Sequence, residues 1–256
     1  ILGNPNADVG TNVDAGEVIV VFSTPDLVTP LGGMDVDDLL GASGQVVDFV
    51  NGVPVVQSVP RAIRITGADA GDLFGFNVAV VGDFNGDGDN DLLVAAPGAS
   101  PEFDSDDDGT LDTPGIDVIN LLDPTSPFGD GLPDDVDFDG VPDLLTGAGQ
   151  VYLIFGVSDL VDLAGTDRSI SISELGSSAF GGLVIVGRSD GDALGGGTST
   201  REPTPGNPRT FRSFGIGGAG DVDGDGRQDV VLGSILGDPE GRTDAGEVYL
   251  IYGFTP

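Results

Sequence analysis

The stretch Asp83-Phe-Asn-Gly-Asp-Gly-Asp-Asn-Asp91 decides how the whole chain is read. Asp83, Asn85, Asp87 and Asp91 stand at positions 1, 3, 5 and 9 of a nine-residue loop. Oxygen-bearing side chains on alternate residues of a tight turn converge on one point. Gly88 at position 6 permits the positive φ that bends the chain back, so that the carbonyl of Asp89 at position 7 can face the same point. A hard, all-oxygen cage of this kind suits Ca²⁺, which takes ~6–8 oxygen ligands at about 2.3–2.6 Å.

The pattern occurs four times. Asp221, Asp223, Asp225 and Asp229 repeat it, with Arg227 at position 7; so do Asp104, Asp106, Asp108 and Asp112, with Thr110 at position 7, and Asp135, Asp137, Asp139 and Asp143, with Val141 at position 7. Glycine fills position 6 in every copy. In the loop at 221 the carbonyl of Arg227, rather than its guanidinium, is expected to face the metal. The spacing matches the start of an EF-hand loop, but position 12 is Val94, Gly115, Thr146 or Leu232 and never the bidentate Glu. Apolar runs follow the position-9 Asp at Leu92-Leu-Val, Val230-Val-Leu and Leu144-Leu. A loop of this kind is therefore expected to feed a β-strand, and the chain to hold about four Ca²⁺ ions.

Charge agrees with that reading. The 256 residues carry 43 acids against nine basic residues, a formal charge of −34, and contain no His and no Cys. All nine cations are Arg. Nine arginines against 43 acids leave a net charge that repels a phosphate backbone, so no nucleic-acid partner is expected. Four Ca²⁺ would cancel eight of the 34 negative charges, and the rest must be solvated or screened. Open sites of this kind suit millimolar extracellular Ca²⁺, which points to a secreted or surface location. No apolar run reaches the length of a membrane span. A chain opening at Ile1 without a leader reads as a mature product or a fragment.

Internal repeats set the architecture. Ala15-Gly-Glu-Val-Ile-Val-Val-Phe22, Ala148-Gly-Gln-Val-Tyr-Leu-Ile-Phe155 and Ala245-Gly-Glu-Val-Tyr-Leu-Ile-Tyr252 nearly coincide. Each reads as a buried strand opened by Gly. A second element precedes the loops: Gly71-Asp-Leu-Phe-Gly75 matches Gly191-Asp-Ala-Leu-Gly195, and Phe76–Asp83 matches Phe214–Asp221.

These residues resemble the FG-GAP repeats of integrin α-subunit β-propellers and of many bacterial surface proteins. Phe74-Gly75, the loop from Asp83 to Asp91 and Ala95-Ala96-Pro97 carry the match; the second copy departs from it with Leu194-Gly195 and Gly233-Ser234. The resemblance implies an all-β fold, a β-propeller-like array of antiparallel four-stranded blades with Ca²⁺ in hairpin loops. Three blades are expected within a single domain spanning 1–256. Blade one covers 1–67 and lacks a first strand. Blade two covers 68–187 and holds Phe76–Val81, Leu92–Ala95, Gln150–Phe155 and Leu183–Val186. Blade three covers 188–256 and stops after three strands.

Three inserts decorate this frame. Residues 28–60 include a hairpin, Gln45–Val50 with Val53–Gln57, turned at Asn51-Gly52. Residues 101–146 carry two of the Ca²⁺ loops, joined by Pro114–Asp123, which reads as one or two helical turns. This acidic insert is expected to be ordered by its metals. Residues 198–212, rich in Thr, Pro and Arg, read as a flexible exposed loop.

Absent residue types exclude much catalysis. Without His, Cys or Lys there is no Ser-His-Asp triad, Cys-His pair, Schiff base or His-ligated zinc. Carboxylate-pair catalysis stays open, because 43 acids always offer pairs, but with no Trp and three Tyr a sugar-stacking cleft is not expected. The leading expectation is a non-enzymatic, Ca²⁺-stabilised extracellular structural or adhesive module. In its sharper form the chain is a subunit that polymerises into a surface fibre, because open blades invite strand addition between copies. The alternative is a propeller module that binds a protein or glycan on one face, and a carboxylate-pair hydrolase or lyase is a third class.

Overall fold

A computed structural model describes residues 1–22, 36–41, 43–50, 53–100, 117–120, 146–157, 160–201 and 209–255. Its strands follow the apolar, β-branched runs of the sequence. In chain order they are β1 (Leu2–Asn4), β2 (Glu17–Val21), helix α1 (Val36–Gly41), β3 (Ser43–Val50), β4 (Val53–Pro60), β5 (Ala62–Thr66), β6 (Asn77–Gly82), β7 (Asp91–Ala96) and β8 (Asp117–Asn120). Then come β9 (Gln150–Ile154), helix α2 (Leu160–Leu163), β10 (Ser169–Ser171), β11 (Gly182–Val186), β12 (Gly196–Arg201), β13 (Arg209–Phe214), β14 (Ile216–Gly220), β15 (Asp229–Ser234) and β16 (Glu247–Ile251).

Three sheets carry the fold. The first has the order β1-β2-β5-β10, the second β6-β7-β9-β11-β8, and the third β14-β15-β16. Pairing is antiparallel within β1-β2-β5, β6-β7-β9-β11 and β14-β15-β16. The antiparallel set β6-β7-β9-β11 contains the four strands expected to pair around Phe76–Val81, Leu92–Ala95, Gln150–Phe155 and Leu183–Val186. The expected hairpin is present as β3 and β4, whose pairing runs from Ser43↔Pro60 to Val50↔Val53. The turn at Asn51-Gly52 lies outside the described residues.

Two edges differ from expectation. β10 adds to β5 in parallel, and β8 adds to β11 in parallel. β8 lies in the segment Pro114–Asp123 read above as helical, so that reading is corrected. Asp117-Val-Ile-Asn120 has two adjacent β-branched residues, and the outer edge of β11 offers unpaired backbone groups to a strand. The insert at 198–212 is also corrected. β12 and β13 form a hairpin from Gly196↔Phe214 to Arg201↔Arg209, so only residues 202–208 lie outside the description. The alternating Thr-Ser-Thr and Thr-Phe-Arg residues on either side of the Pro-Gly-rich centre are ordinary strand formers.

The middle sheet is buried on both faces, which explains its near-continuous apolar runs. On one side Leu92, Val94, Tyr152, Ile154 and Val184 pack with Val18, Val20, Ile63 and Ile65 of the first sheet. On the other, Leu93, Ala95, Val151, Leu153 and Ile185 pack with Val230 and Leu232 of the third. Burying each Leu or Ile of these layers contributes about 1.5–3 kcal/mol. β6 lies beside both β1 of the first sheet and β14 of the third.

The link between successive sheets is a turn that needs glycine on the strand it meets. Phe74 donates its amide to Ala15 O at 3.0 Å, and Leu194 donates to Ala148 O at 2.8 Å. Gly75 and Gly195 then donate to Ala95 O and Gly233 O in the sheets they enter. Gly16 has φ +90°, and a Cβ there would lie 2.0 Å from Phe74 O; Gly149 has φ +82°, and a Cβ there would lie 2.5 Å from Leu194 N. No side chain fits either place.

Candidate metal centre

Each described loop is a β-hairpin turn that starts from an irregularity. Register shifts between Val80 and Gly82 on β6, and between Gly218 and Gly220 on β14. A bulge of this kind sharpens the local twist and re-aims the residues that follow it. The chain then folds onto its own carboxylates. In the first loop Asp83 Oδ1 accepts from Gly86 N at 2.7 Å and Oδ2 from Gly88 N at 3.0 Å. Asn85 Oδ1 accepts from Asp87 N at 3.0 Å, and Asp87 Oδ1 from Asp89 N at 2.8 Å.

The second loop repeats the network bond for bond. Asp221 accepts from Gly224 N at 2.7 Å and Gly226 N at 3.0 Å, Asp223 from Asp225 N at 3.1 Å, and Asp225 from Arg227 N at 2.8 Å. Gly88 and Gly226 have φ of +97° and +95°, the positive values expected of position 6. Every carboxylate bonded to an amide in this way is held pointing into the turn.

Asp221, Asp223 and Asp225 each bring one carboxylate oxygen within 4.8 Å of the others, and all three are exposed. Three like charges so close repel, and a divalent cation is the simplest neutraliser. The donor set fits Ca²⁺: it is all hard oxygen, with no nitrogen or sulfur ligand. The first loop has Asn85 where the second has Asp223, and Asn85 Nδ2 donates to Asp87 Oδ2 at 2.9 Å.

The position-9 residues behave differently. Asp91 and Asp229 are fully buried. Asp91 accepts from Phe84 N at 2.7 Å and Gly156 N at 3.0 Å; Asp229 accepts from Val222 N at 2.6 Å and Gly253 N at 2.8 Å. Each therefore ties the loop's start to the end of the third strand of its sheet. Burial pushes the Asp91 carboxyl up to about 6, against the pull of the Gly156 and Phe84 amides. Sequence spacing reads these residues as ligands and misses this fastening, because Gly156 and Gly253 are distant in sequence.

The Arg227 side chain takes partners both inside and beyond its loop. Its guanidinium pairs with the Asp225 carboxylate and reaches Thr255 Oγ1 at 3.0 Å. The Arg227 amide, and then its guanidinium, hold the Asp225 carboxyl below the usual range. A second pair of acids repeats in the same way. Asp72 and Asp192, in the two Gly-Asp turns before the loops, are buried. Burial, with the neighbouring Asp69 charge, lifts Asp72 to about 6. Asp192 accepts from Ser189 N at 3.0 Å, and its carboxyl is raised chiefly by burial. The sites predicted at Asp104, Asp106, Asp108, Thr110 and Asp112, and at Asp135, Asp137, Asp139, Val141 and Asp143, lie outside the described residues.

The FG-GAP repeat family model matches residues 74–112 and 215–251, which contain both described loops. The chain thus carries two FG-GAP repeats, as the sequence motifs led us to expect. No curated protein matches the chain.

Proposed function

We propose that this chain is a calcium-stabilised, extracellular structural or adhesive module. FG-GAP repeats suggest a β-propeller-type extracellular or ligand-binding module, and the family is generally non-enzymatic. Among the described residues no helix is long and apolar enough to cross a membrane. The carrying observation is the duplicated hydrogen-bond network, which orders two turns around converging carboxylates. Asp83, Asn85, Asp87 and Asp91 would hold one Ca²⁺, with Asp221, Asp223, Asp225 and Asp229 holding another. The carbonyls of Asp89 and Arg227 would complete each shell, and Ca²⁺ would neutralise the carboxylates and fix the hairpins that start the second and third sheets. The loops at 104 and 135 would bind two more ions.

The sharper form, a subunit that polymerises, is favoured by the third sheet. Among the described residues no strand lies beyond β16. Val248 is 75% exposed, Leu250 42% and Tyr252 50%. Each earlier apolar face of this kind is covered by the next sheet, so a further sheet would cover this one by the same packing, and in the polymerising form a second copy supplies it. Isothermal titration with Ca²⁺ tests the metal, and sedimentation at rising protein concentration tests assembly. Saturable calcium binding and a concentration-dependent mass are expected. A chain that binds no calcium sinks the first reading, and a stable monomer sinks the second.

A further inference from the structure

The two described loops touch, and one residue joins them. Gln228 N donates to Asp83 O at 2.9 Å, carrying the second loop onto the first. Arg227 lies across the same junction: a Cβ on Gly86 would sit 3.3 Å from Arg227 Nε. The chain after β16 closes over both. A Cβ on Gly253 would lie 2.7 Å from Phe84 O and 2.8 Å from Arg227 Cβ. Phe254 meets Phe84 edge-on with ring centroids 5.5 Å apart.

Within this junction the Arg227 guanidinium holds Asp225, the position-5 carboxylate. Where the second loop has Arg227 at position 7, the first has Asp89. Formal side-chain charge is therefore −4 for 83–91 (Asp83, Asp87, Asp89, Asp91) and −3 for 221–229 (four Asp and Arg227). A cation entering the second loop must share Asp225 with a guanidinium and meet its positive charge.

We propose that Arg227 is an internal competitor for the cation of its own loop, so that the two FG-GAP loops fill at different calcium concentrations. It acts as a positioning residue rather than a ligand side chain. Filling the second loop loosens the Arg227 contacts to Asp225 and Thr255, and so reaches the segment packed on Phe84 of the first loop. The proposal rests on the calcium reading above.

The test is a Ca²⁺ titration of the intact chain followed by the amide resonances of Gly88 and Gly226, one reporter per loop. In the unaltered protein Gly226 should respond at a higher calcium concentration than Gly88. Arg227→Gln removes the charge and should lower the Gly226 midpoint roughly three- to tenfold, most strongly at low salt. Arg227→Lys keeps the charge and should retain most of the gap. A Gly226 midpoint unmoved in Arg227→Gln, or equal midpoints in the unaltered chain, would overturn the competitor and leave calcium binding standing. If neither glycine responds in any of the three proteins, both readings fall.

Discussion

Strands β9 and β16 are near copies, Gln-Val-Tyr-Leu-Ile against Glu-Val-Tyr-Leu-Ile, and their fates differ. In β9, Val151 and Leu153 are fully buried against the third sheet; in β16 the matching Val248 and Leu250 face outward. The first sheet agrees with β9, since Val18 and Val20 are buried under the second sheet. The strand sequence therefore encodes an apolar face that requires cover, and the neighbouring sheet supplies it. The glycine notch tells the same story. Gly246 has φ +77° like its counterparts, yet a Cβ there would meet nothing nearer than 3.5 Å.

The comparison is broken most forcefully by charge. Val151→Asp buries an unpaired carboxylate between two sheets and should cost about 3–5 kcal/mol, read by urea unfolding of a dilute sample. Val248→Asp should change the stability of the single chain by less than about 0.5 kcal/mol and abolish self-association. Equal effects at the two sites would show that β16 is covered in solution by the chain itself.

The notch gives a smaller, sharper contrast. Gly149→Ala and Gly246→Ala share the penalty of a positive φ, roughly 1 kcal/mol. Only the first also drives a methyl into the Leu194 backbone. The gap between the two variants should be about 2 kcal/mol or more in denaturant midpoints, and it should vanish if the turn at Leu194 yields freely.

The smallest effect concerns Asp72, in the turn that crosses from the first sheet to the second. Its carboxyl sits near 6 when folded, against about 4 in the unfolded chain. The folded state thus binds the proton more tightly, and the resulting stability, full below pH 4, is lost as pH rises through about 6. Asp72→Asn should raise the melting temperature at pH 8 by an amount equivalent to about 1–2 kcal/mol, with little change at pH 4. A larger gain at pH 4 would contradict the burial argument.

What the sequence shows follows from how local each cause is. The loops at 83 and 221 are legible because the turn is made by residues within nine positions, with Gly88 and Gly226 supplying the bend. The core strands are legible because three repeats mark the same apolar faces. β8 is not: a four-residue segment with only two β-branched residues acquires strand geometry from the edge of β11, about 65 residues on. The β12–β13 hairpin is obscured by the Pro and Gly between its arms. The fastening by Asp91 and the reach of Arg227 to Thr255 depend on partners far along the chain, which spacing alone does not register.

Thermal unfolding in millimolar Ca²⁺ and in excess chelator tests the central claim most directly. Two or more filled sites should raise the melting temperature by roughly 10 °C, and the double variant Asp83→Asn with Asp221→Asn should lose much of that shift. Superimposable melting curves with and without calcium would contradict the account.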